Sequence, residues 1–192
     1  MKSGIIVCGI AAAGLVLTAA VVRSQEKQDR DAETQAAVPG PVHKEMARSV
    51  GEYTTLTKFR AEPASSPVES SGTAKIQTAL DGRFLLEENS GSLMGQPTKG
   101  LRLWGYNNAS KKFEAMWTYT GSTSIMTLNG TSDDHGKTIN WSGTFDTGKD
   151  GKRTIHVLTR HIDNDHFVVE IRGNAPNESG GPVMETTYTR KQ

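Results

Sequence analysis

The chain reads as an all-β protein: about ten antiparallel strands forming an up-and-down barrel, capped by a short N-terminal helix. Three observations carry that reading. From Gly51 onward, apolar and polar residues alternate with a period of two in run after run. The runs are separated by short clusters of Gly, Asn, Asp, Ser and Pro, which favour tight turns. No segment between them carries a helical period, so the crossover helices that parallel strands need are absent.

The 192 residues suffice for one domain with a tail. The net charge is +1, and Lys and Arg are scattered without a basic run. Nucleic acid is therefore excluded as the expected partner, because phosphate recognition needs concentrated positive surface. The single cysteine, Cys8, lies in the N-terminal apolar stretch. The domain that follows has no disulfide, thiolate nucleophile or cysteine metal site, and must be held by its apolar core.

Lys2 precedes an apolar run from Ile5 to Val22 that ends at Arg23. A short basic region before an apolar core is an export pattern, and residues 1–24 are read as a signal peptide. The run also has the length of a bilayer span, so the alternative is an uncleaved anchor with the domain facing outward. Either way the expected location is outside the cytoplasm, periplasmic or secreted, with membrane contact only through this segment. Residues 25–40 are polar and mixed in charge, with no apolar period, and read as a flexible linker.

The domain is assigned to residues 41–192. Val42, Met46, Ala47 and Val50 recur at helical spacing, with Pro41 at the start and Gly51 past the end. This is the capping helix. Tyr53 and Phe59 then mark a first strand. Ala74, Ile76, Thr78 and Leu80 share one face of the second, and Asp81-Gly82 signals a two-residue hairpin turn. Phe84 to Leu93 returns, Gly95-Gln96-Pro97 turns the chain, and Lys99 to Tyr106 runs on. Asn107 to Ser110 leads into Phe113, Ala115, Trp117 and Tyr119. Ser124 to Gly130 is the next strand. Ile139, Trp141, Gly143 and Phe145 alternate after the Asp133-Asp134-His135-Gly136 turn. Ile155, Val157, Thr159 and His161 precede the Asp163-Asn164-Asp165 reversal, and Phe167, Val169 and Ile171 follow it. Met184, Thr186, Tyr188 and Arg190 share one face of the last strand. Consecutive hairpins with one apolar face close on themselves or stack as a Greek-key sandwich. Closure is preferred here because it removes exposed edges.

Several short motifs point to a family. Pro41-x-His43-Lys44-Glu45, Gly51-Glu52-Tyr53, Gly82-Arg83-Phe84-Leu85, Met94-Gly95-Gln96-Pro97, Gly100-Leu101, Gly105-Tyr106-Asn107, Lys111-Lys112-Phe113, Trp117 and the closing Met184-Glu185-x-Thr187-Tyr188-Thr189-Arg190-Lys191 stand in order along the domain. Together they resemble the bacterial exported domain-of-unknown-function family 1579, from about Pro41 to Lys191. The resemblance implies a lipocalin-like barrel and supplies no catalytic residues. Where the family commonly has Trp in the first strand, this chain has Tyr53. Lipocalins use a similar Gly-x-Trp to close the barrel base.

If the apolar faces point inward, the lumen holds Ile76, Phe113, Trp117, Tyr119, Trp141, Phe145, Val157, Phe167, Val169, Ile171 and Met184, either as a filled core or around a ligand. The polar residues on that face are Thr78, Thr159, His161, Thr186, Tyr188 and Arg190, and burying them costs free energy unless they find partners. Tyr188 and Arg190 lie two apart on one strand, so a phenol and a guanidinium fork share a side and suit a carboxylate or phosphate. The ligand-binding candidates are Trp117, Tyr119, His161, Tyr188 and Arg190. His43, His135 and His166 read as solvated. His156 and His161 fall on opposite faces, which argues against a shared metal site. A lone inward His161 suits a haem ligand or a hydrogen-bonded core residue; no cofactor and no metal is assigned. No paired strand carboxylates, Ser-His-Asp spacing or phosphate-cradling loop appears. Asp133-Asp134 and Asp163-Asn164-Asp165 are explained by turn chemistry.

The function these residues favour is binding of a small hydrophobic or amphipathic ligand in the lumen. An enzyme using a lumenal histidine and a structural protein with a filled barrel are the alternatives.

Overall fold

The computed structural model describes residues 25–31, 33–60, 65–146, 151–172 and 183–192, with the side chains of residues 145 and 146 excepted. The expected N-terminal signal or anchor, the Pro63 loop and the Gly180-Gly181 loop lie outside the described residues, as does the Phe145 side chain. The chain divides into two units, Met1–Val38 and Pro39–Gln192. In the first, residues 25–31 and 33–36 are helical and exposed almost throughout, where a linker without regular structure is expected. Glu, Gln, Lys and Ala are good helix formers, and propensity supports a helix here without an apolar face.

The second unit is a closed barrel of ten antiparallel strands: β1 (Gly51–Phe59), β2 (Val68–Ala79), β3 (Phe84–Leu93), β4 (Gln96–Asn107), β5 (Lys112–Tyr119), β6 (Met126–Thr131), β7 (Thr138–Asp146), β8 (Lys152–His161), β9 (His166–Arg172) and β10 (Met184–Arg190). Each strand pairs with its sequence neighbours, and β1 pairs with β10 from Tyr53–Arg190 to Phe59–Met184. Among the described residues, the closed cylinder leaves no strand of the sheet at an edge for another chain to extend.

Two turns depart from expectation. The β2–β3 connection spans the four residues Leu80–Arg83, with Leu80 and Asp81 in the left-handed region at φ 50° and 57°. Leu80 is consequently exposed, as is Thr78, because β2 runs on past the floor of the barrel. The β3–β4 turn is Met94-Gly95, one residue earlier than expected, with Gln96 and Pro97 already in β4.

The capping helix spans Pro41–Met46 and tightens into a 3₁₀ turn at Ala47–Ser49. It packs through His43 and Met46, both buried. His43 thus departs from its reading as a solvated residue. Its ring stands edge-on to Tyr106, and its Nδ1 accepts the Gly40 N–H at 3.1 Å. Burial holds its pKa below the usual imidazole value, opposed by a backbone hydrogen bond at Tyr106.

Beneath the helix the barrel is filled. Tyr53 donates to the Ser49 carbonyl at 2.9 Å and meets Phe167 edge-on. Phe167 in turn stacks on Tyr188 with ring centres 4.1 Å apart. Phe113, Trp141, Trp104, Leu85 and Ile76 complete this floor.

Candidate functional site

Above the floor the barrel is hollow. A cavity of about 900 Å³ opens at the end away from the capping helix, within the roughly 300–1,000 Å³ range of small-molecule pockets. Its two sides differ in chemistry. Strands β6 to β9 present Met126, Leu128, Trp141, Ile155, Val157, Val169 and Ile171. Strands β1 to β4 present mainly polar groups, Thr55, Thr57, Ser70, Glu87, Asn89 and Arg102, with Phe59 and Leu93 at the strand ends. The rim is rich in hydroxyls, including Ser92, Thr98, Thr120 and Ser122. The cavity is amphipathic across its width.

At the junction of cavity and floor lies a polar cluster. Glu87, 1% exposed, receives three hydrogen bonds: Arg102 Nη2 to Oε2 at 2.7 Å, Tyr188 Oη to Oε1 at 2.9 Å, and Asn89 Nδ2 to Oε1 at 3.0 Å. Arg102 stacks over the Trp104 ring at 4.3 Å, and its Nε is buried without a hydrogen-bond acceptor. Burial, reinforced by the Glu87 charge, raises the Tyr188 pKa well above that of a free phenol, so Tyr188 is a neutral donor. Two further pairs of inward polar groups satisfy each other. Thr57 and Thr186 bond each other at 3.0 Å, and Trp141 donates to Thr159 at 3.1 Å.

The structure distributes the five sequence-derived candidates over two places. Trp117, Tyr119 and Tyr188 line the cavity. His161 and Arg190 do not. They line a separate depression of about 220 Å³ at the closed end, with Tyr53, Asp163 and His166. The physical reason is depth. Alternation fixes which face a residue points to, while the register fixes its height, at about 3.3 Å per residue. Tyr188 is level with Thr55 and reaches the lumen, whereas Arg190 is level with Tyr53 in the floor. Tyr188 and Arg190 therefore do not form a common anion clamp.

Arg190 instead closes the base. It donates to the carbonyls of Val50 at 2.6 Å, Arg48 at 2.7 Å and Asn164 at 3.1 Å, and it lies over the Tyr53 ring at 5.0 Å. A β-carbon on Gly51 would collide with its Nη1. His161 rests against Phe167, with Nε2 3.4 Å from Ser49 Oγ, and burial lowers its pKa. A lumenal histidine is thus not what this barrel has at position 161. His166, expected as solvated, keeps an exposed side chain at the start of β9, where its Nδ1 lies 2.8 Å from Asp163 Oδ1.

Glu87, Asn89 and Arg102 are absent from the sequence-derived candidates. The run Leu85-Leu86-Glu87-Glu88 does not alternate, so parity alone leaves the inward residue ambiguous. The Met94-Gly95 turn does fix the register, which sets the opposite charges of Glu87 and Arg102 across from each other on one face. A two-residue turn there pairs Glu87 with Arg102 and Leu85 with Trp104, as observed.

Fold and cavity together define a lipocalin-like barrel, closed at one end by a helix and open to a partly polar lumen at the other. The chain belongs to the family of proteins of unknown function DUF1579, whose model matches residues 38–190. Two solved structures share the fold. Rv2717c from M. tuberculosis aligns with a TM-score of 0.55 at 12% identity, covering 81% of this chain and 100% of its own. The S-type phycobiliprotein lyase CPES from Guillardia theta aligns with a TM-score of 0.52 at 11% identity, covering 83% and 97%. At such identities the likeness is one of fold. A search of curated proteins found no match.

Proposed function

We propose that this protein binds a small hydrophobic or amphipathic molecule in the barrel lumen, with Trp117, Tyr119 and Tyr188 in contact with it. The observation that carries this reading is the unfilled cavity of about 900 Å³ with one apolar and one polar side. A protein whose barrel serves only as a scaffold is expected to fill it with side chains, since unfilled apolar volume costs stability. The Ile5–Val22 segment supports an exported protein, periplasmic or secreted, or one anchored with its barrel outward. The likeness to a phycobiliprotein lyase assigns no reaction here, because it rests on the fold.

The test is a titration of the purified barrel with fatty acids, long-chain ketones, isoprenoids and haem, followed by tryptophan emission and melting temperature. Trp117 and Trp141 line the cavity and report directly on occupancy. A ligand at a hundredfold excess over its Kd adds about 2.7 kcal/mol of stability. Ala115→Trp, which fills the lumen from β5, is expected to abolish the response while the fold is retained. An unchanged emission and melting temperature across the whole panel would overturn the reading.

A further inference from the structure

We infer that the lumenal cluster selects ligands whose polar end is an uncharged hydrogen-bond acceptor, of the ketone, ester or amide class, over ligands ending in a carboxylate. The inference rests on the lumen-binding reading and specifies the chemistry of its polar end. Glu87 and Arg102 form a nearly dry ion pair at 2.7 Å, with side-chain exposures of 1% and 12%. The charge of the guanidinium is therefore already balanced. What it still offers is a hydrogen-bond donor. Nη2 is engaged by Glu87, Nε is sealed against solvent, and Nη1 makes no hydrogen bond among the described residues. Arg102 lines the cavity, so Nη1 is the donor left to a ligand.

A carbonyl oxygen placed there gains a charge-assisted hydrogen bond and brings no charge with it. A carboxylate at the same point sets a second negative charge beside Glu87, and one guanidinium cannot neutralise both in a site withdrawn from water. The other ionisable groups facing the cavity do not alter this balance. Tyr188 already donates to Glu87, Tyr119 sits near the rim, and Lys99 is exposed on the rim, where pairing with a carboxylate gains little.

The experiment compares tridecan-2-one with tridecanoate, equal in chain length and different only at the polar end, by tryptophan emission of the purified barrel. At pH 8 the ketone is expected to bind at least about tenfold more tightly. Lowering the pH to 5.5 moves the carboxylate toward its pKa of roughly 4 to 5, and its apparent affinity is expected to rise while that of the ketone stays constant. Glu87→Gln removes the competing charge and is expected to tighten tridecanoate by about tenfold and shrink the preference for the ketone. Should that variant fail to fold, the wild-type comparison and its pH dependence decide the matter alone. Tridecanoate binding as tightly as the ketone at pH 8 would overturn the inference and leave lumen binding intact. No response to either probe, or to any other member of the wider panel, would instead overturn lumen binding itself.

Discussion

Glu87 is held by three donors in a site that water barely reaches, so its removal exposes three groups to a deficit at once. Glu87→Leu leaves Arg102 as an uncompensated buried cation and strips the partner from the Tyr188 hydroxyl. The expected loss is about 3–5 kcal/mol in urea unfolding. Adding Arg102→Met is expected to restore much of it, because an apolar pair has no unmatched charge. A second residue-scale effect concerns pH. His43 and His161 both have pKa values lowered by burial. A histidine near 6.5 when unfolded and lower when folded binds more protons in the unfolded chain, so stability falls as pH drops below about 6.5. His43 Nδ1 also accepts the Gly40 N–H, a bond that protonation abolishes. The melting temperature is expected to decline from pH 7 to pH 5, and less steeply when both histidines are replaced by glutamine. At this scale the sequence was only partly legible. Parity placed Tyr188 and Arg190 on one face, but depth separated them, and depth is set by register across strands far apart in the chain. Glu87 and Arg102 were hidden because two leucines and two glutamates in succession blur the alternation.

Strands and turns were the most legible level, because a period of two and the turn residues act locally. The boundaries moved where backbone conformation decided them, as at Leu80 and Met94. The Gly51-Glu52-Tyr53 motif acquires a physical meaning in the structure: the glycine gives Arg190 room to lie over Tyr53. Gly51→Ala is expected to displace the guanidinium. Arg190→Lys removes the planar fork that reaches three carbonyls and is expected to cost about 2 kcal/mol. Both substitutions act on the floor, so ligand affinity measured by tryptophan emission is expected to stay within about threefold of wild type, a difference of less than about 1 kcal/mol. A large loss of affinity in either would mean that base and lumen are coupled.

For the molecule as a whole, composition and turn spacing were enough for a barrel, and the ordered motifs for its family. Whether the barrel is filled or hollow was not legible, because pocket and core draw on the same side chains. Ile76, Phe113 and Phe167 pack the floor, while Trp117, Val157 and Ile171, of the same kinds and on the same faces, surround the cavity. The pairing of β1 with β10 has a kinetic consequence. Tyr53 meets Arg190, so the strands that complete the cylinder stand at opposite ends of the domain sequence. Every other strand pairing joins neighbours in the chain, and among the pairings this seam alone requires closing a loop of nearly the whole domain. Local hairpins can form as the chain is made, but the cylinder cannot shut until its last strand has emerged. A chain truncated before Met184 would keep nine strands and expose two unpaired edges along with its apolar interior. Such a fragment is expected to aggregate, and light scattering during refolding with and without the last strand would measure the difference.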